Sequence, residues 1–111
     1  MQFTVKERIT GDIIASAVED EGVKHFEGNW YYTAENVNMA HLRVTERIYT
    51  CPYKGRCYWI DLDSPSEKIQ NVGWTYYDVK PGYEWIQGQM AFYSRDTAGT
   101  LATRETAAVT E

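Results

Sequence analysis

The chain has 111 residues, a formal net charge of −5 and 43% hydrophobic residues. This length and composition fit one globular domain with a single modest core. The net negative charge argues against nucleic acid and anionic membranes as partners, because both require a basic surface. No apolar run approaches the roughly 20 residues of a membrane-spanning helix. The first residues lack the apolar region of a signal peptide, so we expect a cytoplasmic protein whose two cysteines are free thiols.

The first half of the chain contains short β-type segments separated by turn residues. Residues 13–18 form an apolar run with β-favouring side chains, and residues 30–32 (Trp-Tyr-Tyr) form a short aromatic run. Both predict strands. Thr33 can cap a short helix that ends at Leu42. Residues 43–50 then alternate in the manner of a strand.

The second half is dominated by aromatic strands. Residues 57–62 and 68–77 are predicted strands joined by a loop that contains Pro65. Residues 83–87 favour one helical turn, and residues 88–94 favour a last strand. Eleven of the chain's sixteen aromatic residues lie between Tyr49 and Tyr93, so core packing or a ligand-stacking surface is concentrated there.

The final stretch, residues 95–111, is rich in alanine and threonine. Leu101 and Val109 are its only large aliphatic residues, so it can bury little apolar surface. We therefore predict a poorly ordered tail whose removal leaves stability nearly unchanged, and a folded domain over residues 1–94.

A rigid corner joins two of the aromatic strands, at Thr50-Cys51-Pro52-Tyr53-Lys54-Gly55. Pro52 fixes its own φ and biases Cys51 towards extended geometry, and Gly55 permits a turn that other residues resist. The Cys51 thiol and the Lys54 ammonium group are thereby held at the bend. A thiol beside a cation is a candidate nucleophile, although such enzymes usually require a base as well.

Several motifs in the second half follow the order of a known family: the corner hexapeptide, Tyr58-Trp59, Gly73-Trp74-Thr75-Tyr76 and residues 86–93. Over roughly residues 10–94 the chain resembles the family called domain of unknown function 427. The resemblance implies an all-β domain, a β-tent of two antiparallel sheets that meet at a steep angle, to which the residues add one or two short helices. The nucleotidyltransferase label sometimes given to the family is not supported here, because no glycine-rich loop precedes a helix.

The tryptophans are more numerous than one small core requires, and Trp59, Trp74 and Tyr76, with Trp30 or Trp85, could line a pocket for a small neutral or cationic group. If the strands over residues 57–62 and 68–77 form a hairpin that closes near Pro65, the numbers of paired residues sum to about 131. This register places Trp59 opposite Val72 and diagonal to Trp74. Glu46, on the strand that leads into the corner, is a candidate polar group. The predicted ligand-binding residues are Cys51, Tyr53, Lys54, Trp59, Trp74, Tyr76 and Glu46.

Three functions remain open at this point. The first is binding of a small molecule in the aromatic pocket; the second is an enzyme that uses Cys51 or Lys54. The third is an interaction module whose aromatic patch binds a peptide or a second copy of the chain, forming a homodimer. We predict no cofactor and no metal, because Cys51 and Cys57 are separated by five residues and no second thiol pair exists.

Overall fold

The structure is a computed structural model that describes residues 1–106. Its regular elements are mostly strands, which confirms the predicted all-β class. The strands are β1 (Gln2–Glu7), β2 (Ile13–Val18), β3 (Val23–Phe26), β4 (Asn29–Tyr32), β5 (Leu42–Cys51), β6 (Gly55–Asp63), β7 (Lys68–Val79), β8 (Met90–Tyr93) and β9 (Thr100–Glu105). Two 3₁₀ helices, Ala34–Asn36 and Glu84–Ile86, lie between strands.

The strands form two antiparallel sheets. One has three strands in the order β2-β1-β9, and the other has six in the order β3-β4-β8-β7-β6-β5. The two-sheet arrangement agrees with the predicted fold, while the steep angle between the sheets stays a prediction. Neither 3₁₀ helix, within the described part of the chain, has the length and apolarity that crossing a membrane requires.

The prediction of a poorly ordered tail is wrong for Thr100–Glu105. This segment is β9, and it pairs along the whole of β1, from Gln2 opposite Glu105 to Glu7 opposite Thr100. Sequence composition missed it because the strand is held mainly by backbone pairing with a segment near the other end of the chain. The last five residues, 107–111, lie outside the described residues.

The predicted helix over residues 33–42 is reduced to one 3₁₀ turn, Ala34–Asn36. Thr33 makes no capping hydrogen bond with its side chain, and Val37 is already extended and bridges Ala15 of β2. With one large aliphatic residue on its face, the segment gains too little from helical packing. The second predicted helical turn is confirmed at Glu84–Ile86.

The main core lies between the three-stranded sheet and one face of the six-stranded sheet, which we call the inner face. Trp30 is fully buried there and stacks on Phe3 of β1, with ring centroids 4.5 Å apart. The Tyr32 hydroxyl donates a hydrogen bond to the Phe3 carbonyl oxygen at 2.8 Å. The core also contains Val5, Ile14, Val23, Leu42, Ile60, Leu62, Val72 and Phe92.

A second cluster covers the opposite, outer face of the six-stranded sheet, and within residues 1–106 the three-stranded sheet contributes no residue to it. Because side chains alternate along a strand, Tyr31 takes the outer face while its neighbours Trp30 and Tyr32 take the inner one. The cluster contains Tyr31, Cys51, Cys57, Trp74, Tyr76, Ile86 and Ala91, with Trp59 and Tyr93 packed against it.

Candidate functional site

The register of β6 and β7 places the two central tryptophans directly opposite each other. Near the loop, Leu62 pairs with Ile69, as predicted. Between Ile69 and Gly73, three residues of β7 lie opposite the single residue Asp61 of β6. This bulge shifts the register of the two strands by two residues. Trp59 therefore pairs with Trp74 itself, and the predicted pairing with Val72 is wrong.

Side-chain hydrogen bonds at Asp61 hold this bulge in place. Its Oδ1 accepts from the backbone N–H of Asn71 at 3.0 Å, and Asn71 has a positive φ of 60°. Arg47 of β5 donates to Asp61 Oδ2 at 3.1 Å and to Asn71 Oδ1 at 2.8 Å. Burial disfavours the charged carboxylate, but these donors and the nearby guanidinium groups outweigh it and lower the pKa of Asp61.

Aromatic rings from five strands contact one another across the outer face, and three of the four contacts are edge to face. The Trp59 and Trp74 ring centroids are 6.0 Å apart at 76°, and Trp74 lies 5.1 Å from Tyr93. Tyr49 extends the row beyond Trp59 at 5.9 Å, and Tyr31 extends it beyond Trp74 at 6.3 Å. Edge-to-face contacts of this kind fix ring orientations, so the array is pre-organised.

A small residue lies between two of these rings. Ala91 of β8 is opposite Tyr31 on one side and opposite Trp74 on the other. Since alanine fills little space, the two rings meet over it, and Trp74 Nε1 donates to the Tyr31 hydroxyl at 3.4 Å. A larger side chain at position 91 would separate the rings.

The rings enclose an open cavity of about 230 Å³ on the outer face. Trp74 keeps 8% of its surface exposed, and Trp59 is half-buried. The lining residues are Asn29, Tyr31, Tyr49, Lys54, Cys57, Trp59, Trp74, Tyr76 and Tyr93.

The corner hexapeptide forms the turn between β5 and β6, next to this cavity. Cys51 pairs with Gly55, and the backbone N–H groups of Lys54 and Tyr53 donate to the Cys51 sulfur. Pro52 has no N–H to compete for that sulfur. Gly55 has a φ of 126°, and a Cβ there would lie 2.0 Å from the Asp78 carbonyl oxygen, so only glycine fits.

The two thiols of the site have opposite electrostatic environments. Burial opposes ionisation of Cys51, but the backbone N–H donors, the Lys54 ammonium and the Tyr76 hydroxyl outweigh it and lower its pKa. Burial raises the pKa of Cys57 to about 11. Cys51 is 7% exposed, so a thiolate there lies under the surface.

Lys54 places a cation at the edge of the cavity. Its Nζ pairs with the Glu27 carboxylate and lies 6.0 Å from the centre of the Phe26 ring. Burial favours the neutral amine, but the hydrogen bond to Glu27 and the surrounding negative charge outweigh it and raise the pKa of Lys54. The amine is therefore protonated at neutral pH and acts as a donor.

The structure brings four of the predicted site residues into the lining of one cavity: Lys54, Trp59, Trp74 and Tyr76. Cys51 lies beside this group and contacts it through the Tyr76 hydroxyl. Tyr53 does not line the cavity, because it lies in the turn with 76% of its surface exposed.

Three other candidates lie away from the cavity lining. Glu46 is on an irregular part of the edge strand β5, and it lines a separate groove with Arg43 and Arg47. Trp30 belongs to the inner core, and Trp85 packs on Phe26 and Tyr31 behind the cavity wall.

Sequence reasoning missed five lining residues: Asn29, Tyr31, Tyr49, Cys57 and Tyr93. Strand alternation alone could have found Cys57, which shares a face with Trp59, and then Tyr49, which pairs with Cys57. The others require the pairing of β4 with β8, which no local pattern encodes.

The residues that could hold a metal ion lie on the other side of the molecule. Glu7, Asp12 and His41 each offer one ligand atom, and these atoms lie within 4.8 Å of one another. Within residues 1–106 the two cysteines belong to no such three-residue group.

Comparison with known proteins identifies the family of the chain. A family model described as domain of unknown function (DUF427) matches residues 4–103, which include most of β1, most of β9 and every strand between them. No curated protein matches the chain. The family match covers most of the 111 residues, and the chain therefore belongs to the DUF427 family.

Proposed function

We propose that the chain binds a small molecule with a planar ring in the aromatic cavity of the outer face. The observation that carries this proposal is the uncovered array of Trp59, Trp74, Tyr31 and Tyr93 around a concave surface. An aromatic wall with a few polar groups is the usual composition of a small-ligand site. In the described part of the chain, no second layer covers these rings as the three-stranded sheet covers the inner face.

The size of the cavity suits a ligand group of about one substituted ring. Its volume of about 230 Å³ exceeds that of an engineered cavity of roughly 150 Å³ that accepts benzene. It is below the roughly 300–1,000 Å³ of sites for drug-sized molecules.

The polar groups of the lining favour a ligand with a hydrogen-bond acceptor. Lys54 is the charged residue of the lining, and its ammonium group has donors beyond the one that reaches Glu27. Lys54 lines the cavity whereas its partner Glu27 does not, so the ammonium group is the nearer charge and repels a cationic ligand at close range. The lining therefore favours a neutral or anionic ring that carries a carbonyl or carboxylate group. It disfavours the cationic ligand that the sequence analysis also allowed.

The test is a binding measurement with single-ring probes: benzamide and benzoate, with phenyltrimethylammonium as the cationic comparison. We expect the first two to shift the indole N–H resonances of Trp59 and Trp74 in NMR spectra, and the cation to bind more weakly. Trp59→Ala should remove the response. The matched control is Tyr58→Ala, since Tyr58 is the neighbour of Trp59 on β6 and stacks on Tyr77 outside the cavity. Absence of any probe-dependent shift at Trp59 and Trp74, or an unchanged response in Trp59→Ala, would contradict the proposal.

A second candidate is an enzyme that uses Cys51, and the lowered pKa of this thiol favours it. Two observations weigh against it. Cys51 is 7% exposed, and both histidines of the chain are engaged elsewhere, His25 against Phe3 and His41 with Glu7. The raised pKa of Lys54 opposes a role for its amine as a nucleophile.

A third candidate, binding of a peptide or a second copy, is favoured by exposed side chains beside the cavity. Tyr49 of the lining and Tyr53 of the adjoining turn have exposed fractions of 49% and 76%. Light scattering of the purified protein tests this alternative. A dimer that Tyr53→Ser converts to monomer would support it over the small-molecule site.

A further inference from the structure

Three potential metal ligands converge at one end of the three-stranded sheet. Glu7 ends β1, Asp12 directly precedes β2, and His41 directly precedes β5 of the other sheet. Glu7 Oε2 lies 2.6 Å from His41 Nδ1, and one ligand atom from each of the three residues lies within 4.8 Å of the others. They border a hollow of about 420 Å³ with Gly11, Ile13 and Asn38.

Glu7 carries a buried carboxylate of which only one oxygen accepts a side-chain hydrogen bond within residues 1–106. Its side chain is 4% exposed, and a buried carboxylate is costly unless it is paired or coordinates a metal. Within residues 1–106, His41 is the side-chain donor that reaches it, and it reaches Oε2. Oε1 has no donor in this part of the chain, so the buried group retains coordinating capacity towards the hollow.

The balance of charge at this position is negative. Glu7 and Asp12 contribute two carboxylates, whereas His41 contributes at most one positive charge. In the described chain, the carboxylate of Asp12 has no hydrogen-bond donor and no ion-pair partner. A cation in the hollow would neutralise this excess.

The backbone sets the spacing of the three side chains in advance. Glu7 N–H donates to the Asp12 carbonyl oxygen at 2.8 Å, and Gly11 N–H donates to the Glu7 carbonyl oxygen at 2.9 Å. Gly11 has a φ of 77°, which allows this tight turn. His41 is fixed to the other sheet, because its carbonyl oxygen accepts from Asp63 N–H at 2.7 Å. The ligands are therefore pre-organised by two hydrogen-bonded strand ends.

We propose that Glu7, Asp12 and His41 form a binding site for a divalent first-row transition-metal cation of the Zn²⁺ or Mn²⁺ type. One imidazole and two carboxylates suit these ions, whereas Mg²⁺ and Ca²⁺ prefer oxygen ligands alone. Metal–ligand bonds of roughly 2.0–2.2 Å require ligand atoms on one ion to lie about 3–3.5 Å apart. To meet that requirement the 2.6 Å contact between Glu7 and His41 must lengthen and the exposed Asp12 side chain must turn towards the ion.

The cation would connect the two sheets, since two ligands belong to the β1–β2 hairpin and the third to the start of β5. Three protein ligands leave coordination positions open towards the hollow. The sequence prediction of no metal considered only the cysteines. It missed this group because Glu7 and His41 are 34 residues apart and belong to no spacing motif.

The test is isothermal titration calorimetry of the full chain with ZnCl₂ and with MnCl₂. We expect each metal, titrated separately, to bind with a stoichiometry of one ion per chain. We also expect the melting temperature to rise with metal concentration. Asp12→Asn and His41→Ala should each weaken binding by more than the roughly 10–100-fold that loss of an outer-shell partner causes. Asp12 is exposed, so Asp12→Asn keeps the fold, and circular dichroism verifies this. The matched control is His25→Ala, which removes the other imidazole of the chain; this variant should bind the metal as the unmodified protein does.

Two results would overturn the site. One is the absence of binding to the unmodified chain at millimolar metal. The other is equal affinity in Asp12→Asn or His41→Ala. A CoCl₂ titration tests whether the cysteines bind the metal instead. An intense sulfur-to-metal absorption band would assign the ion to the cysteines and contradict the proposal.

Discussion

The inner and outer faces of the six-stranded sheet have the same kind of side chain and different surroundings. Trp30 and Tyr31 are neighbours on β4, yet Trp30 stacks on Phe3 of the other sheet while Tyr31 contacts Trp74 of its own sheet. The inner rings are covered by the three-stranded sheet. The outer rings are bordered by the corner, by Phe26 of β3 and by the second 3₁₀ helix.

This difference shows that aromatic content alone does not distinguish a core from a site. A ring on the inner face stabilises the contact between two layers. A ring on the outer face, such as Trp59, leaves part of its apolar surface available to a ligand. The layer that covers a residue therefore decides its role, and the following predictions test that division.

Removal of β9, one of the three strands of the covering sheet, should have the largest effect. Truncation after Ser94 deletes β9, exposes the edge of β1 and removes the buried Thr100. We expect a loss of at least about 4 kcal/mol, a large part of the roughly 5–15 kcal/mol that stabilises a domain. Urea unfolding measures it, and truncation after Glu105, which keeps all of β9, is the matched control. A truncated chain with unchanged stability would mean that the inner face does not depend on this cover.

Substitution of one tryptophan on each face should separate their contributions to stability. Trp30→Ala should lower the free energy of unfolding by roughly 3–5 kcal/mol, as expected for a fully buried ring. Trp59→Ala should cost about 1 kcal/mol, because its ring is half-buried and its loss opens no closed cavity. Chemical denaturation of both variants gives the comparison, and equal losses would remove the distinction between the faces.

Alkaline pH should destabilise the fold through its buried thiol and phenol groups, which include Tyr32 of the inner face and several groups of the outer face. Burial raises the pKa of Cys57 to about 11, and it also raises the pKa of Tyr31 and Tyr76. The folded state therefore retains protons that the unfolded chain releases from about pH 8.5 upwards, so stability falls as pH rises.

A substitution isolates the part of this effect that belongs to Cys57. Cys57→Ala should reduce the loss between about pH 9 and 11 by roughly 2 kcal/mol. The slope is at most about 1.4 kcal/mol for each pH unit and decreases towards both ends of this range. Thermal melts across this range, with Cys51→Ala as the control, measure the difference. A pH dependence that is identical in both variants would contradict the assignment to Cys57.

The smallest effect concerns the reactivity of the two thiols. The lowered pKa of Cys51 and the raised pKa of Cys57 predict that iodoacetamide labels Cys51 first near neutral pH. Burial of both sulfurs keeps both rates low. Mass spectrometry of timed samples identifies the labelled residue. Cys51→Ser should leave only the slower labelling of Cys57. Equal rates at the two sites would refute the predicted difference and would also count against an enzyme that uses Cys51.

The sequence was informative wherever the determining interaction is local. Alternation along residues 57–62 and 68–77 predicted β6 and β7 and placed Trp59 and Trp74 within reach of each other. The turn chemistry of Pro52 and Gly55 predicted the corner.

Features that depend on distant partners were not predictable in this way. The register of β6 and β7 depends on a bulge held by Arg47 of a third strand. β9 has a weak apolar pattern and pairs with β1, almost a full chain length away. Likewise, Tyr31 and Tyr93 join the cavity through the pairing of β4 with β8, some sixty residues apart.

The pairing of β1 with β9 also imposes an order on synthesis and folding. β1 is synthesised before the other strands and β9 after them. The central strand β1 of the three-stranded sheet therefore lacks one of its two neighbours until β9 has been synthesised. Until β9 emerges from the ribosome, one edge of β1 is free to pair with another chain. Pairings between such distant segments form slowly. A nascent chain paused before residue 100 is therefore the species most exposed to misassembly and to capture by chaperones.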